Sequence, residues 1–279
     1  MADEPPDLPD ESAGLAPGRG RLDGRRILVV GAGQNDYGLD DAPVGNGRAI
    51  TVLCAREGAS LALVDRDVDS LGATVDLAVR EFGAAEQRAH TIEGDVRDPD
   101  VPDAAVREAV EALGGLDGVV YNVGIGAGSG LAGTSVDDWD RVFSVNLRGA
   151  MLTAKAALPV LPAGGSIVFI SSLAGLKPGT GIPAYDSSKA AMHGLMRHVA
   201  AEAARQGVRA NVIAPGLMDT SLGRLATAAR PERAKSPIPL RRQGTAWETA
   251  YLAAFLLSNE SAYITGQVIA IDGGLSTLR

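Results

Sequence analysis

Cysteine, aromatic residues and long apolar runs are all scarce in this 279-residue chain. The single cysteine, Cys54, excludes an internal disulfide and any metal site built from several thiolates. Aromatic residues make up 4% of the chain, whereas glycine occurs 35 times. This balance favours an α/β protein with many tight turns over an aromatic-rich β-sandwich. No run reaches the roughly 18 apolar residues of a membrane helix, so no membrane partner is predicted.

Basic residues are also in deficit. The chain has 26 Lys and Arg against 34 Asp and Glu, a net charge of −8, which disfavours nucleic-acid binding. A hydrophobic fraction of 46% excludes a wholly disordered chain. The three histidines, His90, His193 and His198, lack the spacing of a metal site, so no metal is predicted. The low cysteine content and the lack of a signal-peptide pattern predict a cytoplasmic protein.

Residues 1–22 are acidic and rich in proline, which predicts a disordered tail. Over residues 23–279, short apolar runs alternate with helix-length segments, with no linker or repeat. Runs that are apolar throughout indicate strands buried on both faces, and their alternation with helices indicates βαβ units. The predicted fold class is therefore α/β, with a doubly wound (Rossmann-type) parallel sheet in a single domain. The predicted strands are 27–30, 61–64, 116–120, 166–170, 208–214 and 267–271, and the predicted helices are 47–57, 67–82, 99–113, 135–161, 184–206 and 245–258.

The first predicted strand runs into a segment with several glycines. Gly31 and Gly33 do not complete a G-x-G-x-x-G fingerprint, because Asp36 occupies its last position. Gly31 followed by Gly45-Asn46-Gly47 gives G-xxx-G-x-G if residues 35–44 are an insertion. Such glycines let the backbone approach a pyrophosphate, to which the N-terminus of the next helix offers N–H groups. An ordinary strand–helix turn is the alternative.

A carboxylate ends the second predicted strand. Asp65 lies eighteen residues past Gly47, where dinucleotide-binding folds place a carboxylate that binds the adenosine ribose hydroxyls. Because a carboxylate there repels a 2′-phosphate, NAD is favoured as the cofactor. Arg66 follows directly and would favour NADP if it bound that phosphate. A turn or helix-cap acid is the alternative for Asp65.

Tyr185 and Lys189 are spaced to share one face of a predicted helix. A free tyrosine has a pKa near 10 and is a poor acid or base at neutral pH. A nearby ammonium stabilises the phenolate and lowers that pKa, which makes the phenol a usable proton carrier. The pair is common by chance, but Ser171 and Ser172 follow a predicted strand, with Ser172 thirteen residues before Tyr185.

In this context the chain resembles the short-chain dehydrogenase/reductase family, main single-domain branch, from about residue 25 to 275. The matching segments are Tyr121-Asn122-Val123-Gly124, Val145-Asn146-Leu147, Ser172 with Tyr185 and Lys189, Pro215-Gly216-Leu217-Met218-Asp219-Thr220, and Tyr263-Ile264-Thr265-Gly266 through Asp272-Gly273-Gly274. The resemblance implies an NAD(H)-dependent oxidoreductase that acts on a small-molecule ketone or secondary alcohol, and a homotetramer or homodimer.

The resemblance also implies roles for individual side chains. Tyr185 would donate or remove the proton on the substrate oxygen, and Ser172 would hydrogen-bond that oxygen. Lys189 would bind the nicotinamide ribose and lower the Tyr185 pKa, and Asn146 would hold a water in a proton relay. A simple helix kink is the alternative for Asn146.

The cofactor-binding residues implied by the resemblance extend along both halves of the chain. Asp95 would contact the adenine, and Thr220 would bind the nicotinamide carboxamide unless it only caps a helix. The expected set is Gly31, Gly33, Gly45, Asn46, Gly47, Asp65, Arg66, Asp95, Val96, Asn122, Gly124, Tyr185, Lys189, Pro215, Gly216, Met218 and Thr220.

The sequence departs from the family pattern in several places. Val30 stands where the family usually has threonine, and Tyr121 where it has asparagine. The insertion 35–44 brings three aspartates to a site meant for a pyrophosphate. We predict that it folds outward as a lid over the adenosine side, with a mobile loop of no function as the alternative.

Two questions about the reaction stay open at this level. Residues 217–243, the usual substrate lid of the family, mix apolar and basic side chains. This mixture predicts a solvated charge run, with an acidic or thioester substrate as the alternative. An enoyl-thioester reductase of the divergent branch is an alternative function, although that branch places its lysine further from the tyrosine. A non-catalytic dinucleotide-binding protein is another alternative, which loss of the Ser, Tyr or Lys would mark.

Overall fold

Seven parallel strands form the central sheet of the computed structural model of this chain, which describes residues 8–81, 88–177 and 179–278. The sheet order is β3-β2-β1-β4-β5-β6-β9, and β7 pairs with β8 separately. Because the order reverses between β1 and β4, the sheet is doubly wound and the predicted fold class is confirmed. The strands are β1 (Arg26–Val30), β2 (Ser60–Asp65), β3 (Ala89–Glu93), β4 (Gly118–Tyr121), β5 (Ser166–Ile170), β6 (Arg209–Pro215), β7 (Met218–Asp219), β8 (Gly244–Thr245) and β9 (Val268–Ile271).

Helices cover both faces of the sheet. One apolar core joins the sheet to α2, α3 and α9, and the other joins it to α4, α6 and α7. Five of the six predicted helices each correspond to one observed helix with boundaries shifted by a few residues, and the sixth, 135–161, covers both α5 and α6, whereas α1 and α8 were not predicted. The helices are α1 (Asp10–Ala13), α2 (Asn46–Arg56), α3 (Val68–Glu81), α4 (Val101–Leu113), α5 (Val136–Phe143), α6 (Gly149–Ala157), α7 (Pro183–Ala203), α8 (Ser221–Ala229) and α9 (Ala246–Leu257).

Strand β3 was missed by the sequence pattern. It lies at the edge of the sheet, and only Ile92 in it is buried. Strands β4, β5 and β6 lie inside the sheet and are buried along their whole length. The inner strands therefore carry the continuous apolar run that the sequence pattern detects, and β3 does not.

The predicted helix over 135–161 is interrupted. Ser144–Arg148 forms a π-helical turn between α5 and α6, a feature that often marks functional sites. The fully buried Tyr121 donates its hydroxyl to the Val145 carbonyl at 2.5 Å. Tyr121 therefore ties the end of β4 to the turn that carries Asn146.

The segment before β1 is packed against the domain, which corrects the predicted disorder for residues 8–22. The buried Glu57 carboxylate, at the end of α2, accepts the backbone N–H groups of Arg19 and Arg21 at 3.0 and 3.1 Å. It also accepts the Arg21 guanidinium at 2.7 Å. Composition missed this anchorage because a few specific polar contacts provide it. Residues 1–7 of the predicted tail lie outside the described residues.

Candidate active site

A cleft of about 560 Å³ opens where the sheet order reverses, at the carboxyl ends of β1, β2 and β4. Doubly wound sheets bind their ligands at this position. Most of the predicted site residues line it: Gly31, Gly33, Gly45, Asn46, Gly47, Asp65, Arg66, Asp95, Val96, Asn122, Gly124, Tyr185, Lys189 and Thr220. Among the described residues, five predicted ones lie outside this wall: Asn146, Ser172, Pro215, Gly216 and Met218.

The glycine loop is shaped for a close backbone approach. Gly31 has a φ of +85°, which favours glycine, and a Cβ on Gly47 would stand 2.0 Å from the Gly31 carbonyl oxygen. Helix α2 begins at Asn46, whose buried Oδ1 has no hydrogen-bond partner among the described residues. A helix N-terminus beside an unpaired acceptor fits a ligand with both phosphate and hydroxyl groups. The loop therefore fits a dinucleotide.

Gln34 holds the long connection between β1 and α2 together. Its Oε1 accepts the N–H of Gly45 at 2.6 Å, and its backbone N–H donates to Ser70 Oγ at 2.6 Å. Its Nε2 donates to the carboxylate of Asp36. The two ends of the connection are thus fastened to each other, with the exposed acidic residues on the outside.

The insertion 35–44 also contacts α8. The Ser221 hydroxyl donates to the Pro43 carbonyl at 3.1 Å, and the Arg224 guanidinium donates to the Asp41 carbonyl at 3.1 Å. Ser221 itself lines the cleft. The insertion therefore bridges the glycine loop and the segment that follows β7.

Asp65 presents its carboxylate to the glycine loop. Its Oδ2 accepts the N–H of Gly33 at 2.8 Å, and its Oδ1 accepts the N–H of Asp67 at 3.2 Å. An ionised carboxylate has about four acceptor positions, so capacity is left for ribose hydroxyls. Asp95 differs because the Arg97 guanidinium is bound to it at 2.6 Å, which lowers the pKa of the Asp95 carboxyl.

The structure brings Tyr185, Lys189 and Ser172 together beside the carboxyl end of β5. Lys189 Nζ lies 5.8 Å from the Tyr185 ring centroid and donates to the Ile170 carbonyl at 2.9 Å. Burial lowers the pKa of Lys189 to about 8. Burial raises the pKa of Tyr185, and hydrogen bonding with the Ser172 hydroxyl opposes that rise.

The cation that lowers the Tyr185 pKa is Arg233. That Lys189 lowers the pKa of Tyr185 stays a prediction. Arg233 belongs to the mixed apolar and basic segment 217–243 and lies beyond α8.

Asn146 positions the loop that follows β4. Its Oδ1 accepts the N–H of Ile125 at 2.8 Å, and its Nδ2 donates to the Ile125 carbonyl at 3.0 Å and to Ser188 Oγ at 2.9 Å. The amide is thus occupied by the polypeptide, and Asn146 ties this loop to α7. The sequence did not single out Ser188 as the partner.

A second buried hydrogen-bond network contacts the backbone of Lys189. The Ser171 hydroxyl donates to the Lys189 carbonyl at 2.9 Å and lies 2.9 Å from His193 Nε2. Because the only Ser171 hydroxyl proton is used, His193 donates the second hydrogen bond. Burial lowers the pKa of His193, so the imidazole is a neutral hydrogen-bonding group in the packing beneath α7.

The side chains of the segment after β7 lie in different environments. The Thr220 Oγ1 accepts the N–H of Gly223 at 3.1 Å, so Thr220 caps α8 as well as lining the cleft. Arg224 is exposed and paired with Asp219, whereas Arg233 is half-buried. The prediction of a solvated charge run therefore holds for only part of this segment.

Two searches of the described residues were negative. Over 8–81, 88–177 and 179–278 no group of three or more His, Cys, Asp and Glu side chains is arranged to hold a metal ion. Within the same ranges no helix has both the length and the apolar character needed to cross a bilayer. Cys54 is buried, and burial raises its pKa to about 12.

Sequence comparisons match this chain to known proteins over most of its length. A family model described as enoyl-(acyl carrier protein) reductase matches residues 43–276. The chain is 40% identical to a protein of Xanthobacter autotrophicus named inactive 2-(S)-hydroxypropyl-CoM dehydrogenase 2, over 80% of this chain and 97% of that one. It is 35% identical to the 3-oxoacyl-(acyl-carrier-protein) reductase of Thermotoga maritima, over 91% of this chain and 99% of that one.

Solved structures agree with these matches. Levodione reductase superposes with a TM-score of 0.84 at 31% identity, covering 92% of this chain and all of the other. A short-chain dehydrogenase/reductase from Serratia marcescens superposes with a TM-score of 0.81 at 28% identity, again over 92% of this chain and all of the other.

Proposed function

The chain belongs to the short-chain dehydrogenase/reductase family of oxidoreductases, and we propose that it is an NAD(H)-dependent enzyme of this family that acts on a small-molecule ketone or secondary alcohol. The observation that carries the proposal is that Tyr185 and Lys189 line the same cleft as Asp65 and the glycine loop, with Ser172 beside Tyr185. Family membership supports an enzyme over a non-catalytic binding protein.

The proposed reaction couples a hydride transfer to a proton transfer. The nicotinamide would supply the hydride to a carbonyl carbon in reduction, or accept it from an alcohol carbon in oxidation. Tyr185 would give its phenol proton to the substrate oxygen in reduction and take the hydroxyl proton in oxidation. Ser172 would donate a hydrogen bond to the same oxygen and stabilise its developing charge.

The remaining residues would bind and orient. Lys189 would donate from Nζ to the nicotinamide ribose, which its place between Tyr185 and the Ile170 carbonyl supports. Asn146 would act through the Ile125 backbone that it holds. Its role in a water relay stays a prediction.

Cofactor preference gives the first test of the proposal. We expect NADH to bind more tightly than NADPH in a fluorescence titration, and Asp65→Ala to weaken NADH by about tenfold, because a hydrogen bond to a charged group contributes about 1.5 kcal/mol or more. Asp69→Ala, which removes an exposed carboxylate from nearby α3, is the control and should leave both affinities unchanged. Tighter binding of NADPH would instead assign the 2′-phosphate to Arg66.

Shortening the insertion tests its proposed function as a lid. Replacing residues 35–44 by a short glycine linker should raise the Kd for NADH several-fold, because the bridge to α8 would be lost and the ligand would leave faster. Ser221→Ala, which removes only the hydrogen bond to Pro43, should give a smaller change in the same direction. Stopped-flow dissociation of NADH measures both effects, and an unchanged affinity in the deletion would refute the lid.

Enoyl-thioester reduction is a second candidate, favoured by the description of the matching family model. The spacing of Tyr185 and Lys189 on successive turns of α7 opposes it. Comparing an acetoacetyl thioester with a crotonyl thioester as NADH oxidant distinguishes the two. Turnover of the crotonyl thioester alone would select the second candidate.

A further inference from the structure

We infer that Arg233, with Arg230 beside it, forms an oxyanion subsite on the Tyr185 side of the cleft, so that the substrate carries a carboxylate, sulfonate or phosphate group in addition to its carbonyl. This inference rests on the proposed function, because it names the substrate class of the same site. Residues 217–243 would then recognise charge as well as cover the substrate.

Arg233 lies within residues 217–243, the segment that the family resemblance predicts to cover the substrate. It belongs to the 3-10 turn Pro231–Lys235 that follows α8, and it lines a cavity of about 480 Å³ together with Leu217 and Ile238. The Arg233 backbone N–H donates to the Arg230 carbonyl at 2.9 Å, and the Arg230 guanidinium donates to the Thr180 carbonyl. Thr180 lies five residues before Tyr185, on the chain that leads into α7, so these contacts join the Arg233 turn to the segment that carries Tyr185. The charge of Arg233 also lowers the pKa of Tyr185.

The Arg233 guanidinium is held in place by neutral acceptors, and no counterion among the described residues neutralises its charge. Its Nη1 donates to the Gly223 carbonyl at 3.0 Å and to Thr227 Oγ1 at 2.6 Å. Over the part of the chain that the structure describes, no carboxylate forms an ion pair with it. Arg242, which lines the same cavity, is bound to Glu248 at 2.5 Å. A half-buried cation without a counterion is costly, and a ligand anion would remove that cost.

Arg230 adds a second positive charge at the same place. Burial and the charge of Arg230 both lower the pKa of Arg233, so the two cations repel each other. Arg230 is held by the Thr180 carbonyl on the chain that leads into α7. An oxyanion near both guanidinium groups would relieve this repulsion, and the planar guanidinium suits two parallel hydrogen bonds to such a group.

The cofactor phosphates fit other parts of the cleft. The pyrophosphate fits the glycine loop and the start of α2, and a 2′-phosphate would fall beside Asp65 and Arg66. Arg233 lies near Tyr185, where the substrate oxygen would be. The anion that it binds is therefore assigned to the substrate.

The test compares ketones that differ only in charge. 4-Oxopentanoate and 5-oxohexanoate are each compared with their methyl esters as NADH oxidants, using the wild type, Arg233→Gln, Arg233→Lys and Lys235→Gln. Lys235 is the matched control because it lies on the same turn, is exposed and is paired with Glu232 at 2.9 Å. Calorimetry of 4-oxopentanoate with the NAD-loaded enzyme measures binding without turnover.

We expect the wild type to prefer each acid over its ester by at least tenfold in kcat/KM, mainly through KM. Arg233→Gln should lower that acid-to-ester ratio by at least tenfold, Arg233→Lys should retain part of it, and Lys235→Gln should keep it unchanged. Calorimetry should show carboxylate binding that Arg233→Gln weakens by a similar factor.

Several results would overturn the subsite. Equal kcat/KM for acid and ester, a preference that survives Arg233→Gln, or no carboxylate binding by calorimetry would each do so. Weaker NADH binding in Arg233→Gln would also overturn it, by assigning Arg233 to the cofactor. If no ketone is reduced but carboxylate binding depends on Arg233, the subsite is supported and the proposed oxidoreductase function fails.

Discussion

Replacing Tyr185 by phenylalanine should lower kcat for ketone reduction by about 10³-fold, within the range that a positioned general acid contributes. The change removes only the phenol oxygen, and with it the proton for the substrate oxygen. The ring that packs beside Lys189 remains, so the Kd for NADH should change less than about twofold, far less than the roughly tenfold of a 1.4 kcal/mol loss. The decrease of NADH absorbance under saturating ketone measures turnover, and fluorescence titration measures binding.

Tyr263→Phe is the control for this experiment. Tyr263 is fully exposed, so the same chemical change there should leave both kcat and NADH binding unaltered. Turnover of Tyr185→Phe at the wild-type level would assign the proton transfer to another group. A joint loss of turnover and NADH binding would indicate a structural defect instead.

The largest expected effect on stability comes from Glu57→Gln, which should lower the free energy of unfolding by about 3 kcal/mol, as expected when one partner of a buried ion pair is removed. The Glu57 side chain is fully buried, and that of Arg21 is only 12% exposed. Glutamine keeps the size of the side chain but leaves the Arg21 charge without its counterion. Urea unfolding followed by circular dichroism measures the change.

Glu11→Gln provides a matched control on the same segment. Glu11 pairs with Arg19, but both side chains are largely exposed, and exposed ion pairs contribute only about 0–1 kcal/mol. If Glu57→Gln lowers the free energy of unfolding no more than Glu11→Gln does, the segment before β1 is not anchored by Glu57.

The Glu57 contact also predicts how stability varies with pH. Burial raises the pKa of Glu57, but hydrogen bonds from Arg21 and Arg19 outweigh burial and hold the pKa below its ordinary value. Because the pKa is lowered in the folded state, the contribution of Glu57 to the free energy of unfolding is complete above the unfolded pKa near 4.3. It is lost as the pH falls through the folded pKa. The stability difference between wild type and Glu57→Gln should therefore shrink in acid.

Local pattern was sufficient for the elements that build the cleft. Strand β1 with Gly31, strand β2 with Asp65, and the Tyr185–Lys189 spacing on α7 each depend on a few neighbouring residues. The short-chain dehydrogenase/reductase family and the doubly wound sheet were predicted from these and are confirmed. The edge strand β3 was missed because His90, Thr91 and Glu93 interrupt any continuous apolar run in it.

The sequence by itself determined the parallel α/β fold, the family, and the candidate proton-transfer residues, since apolar periodicity and motif spacing are local properties of the chain. Only the tertiary structure decided three relations. Gln34 hydrogen-bonds Gly45 and closes the glycine loop, the Asn146 amide hydrogen-bonds the Ile125 backbone, and the charge of Arg233 lowers the pKa of Tyr185. These relations depend on distances between segments far apart in sequence. The solvation of each charge likewise depends on what packs around it. No single run of residues therefore specifies the contacts between segments or the solvation of the charges.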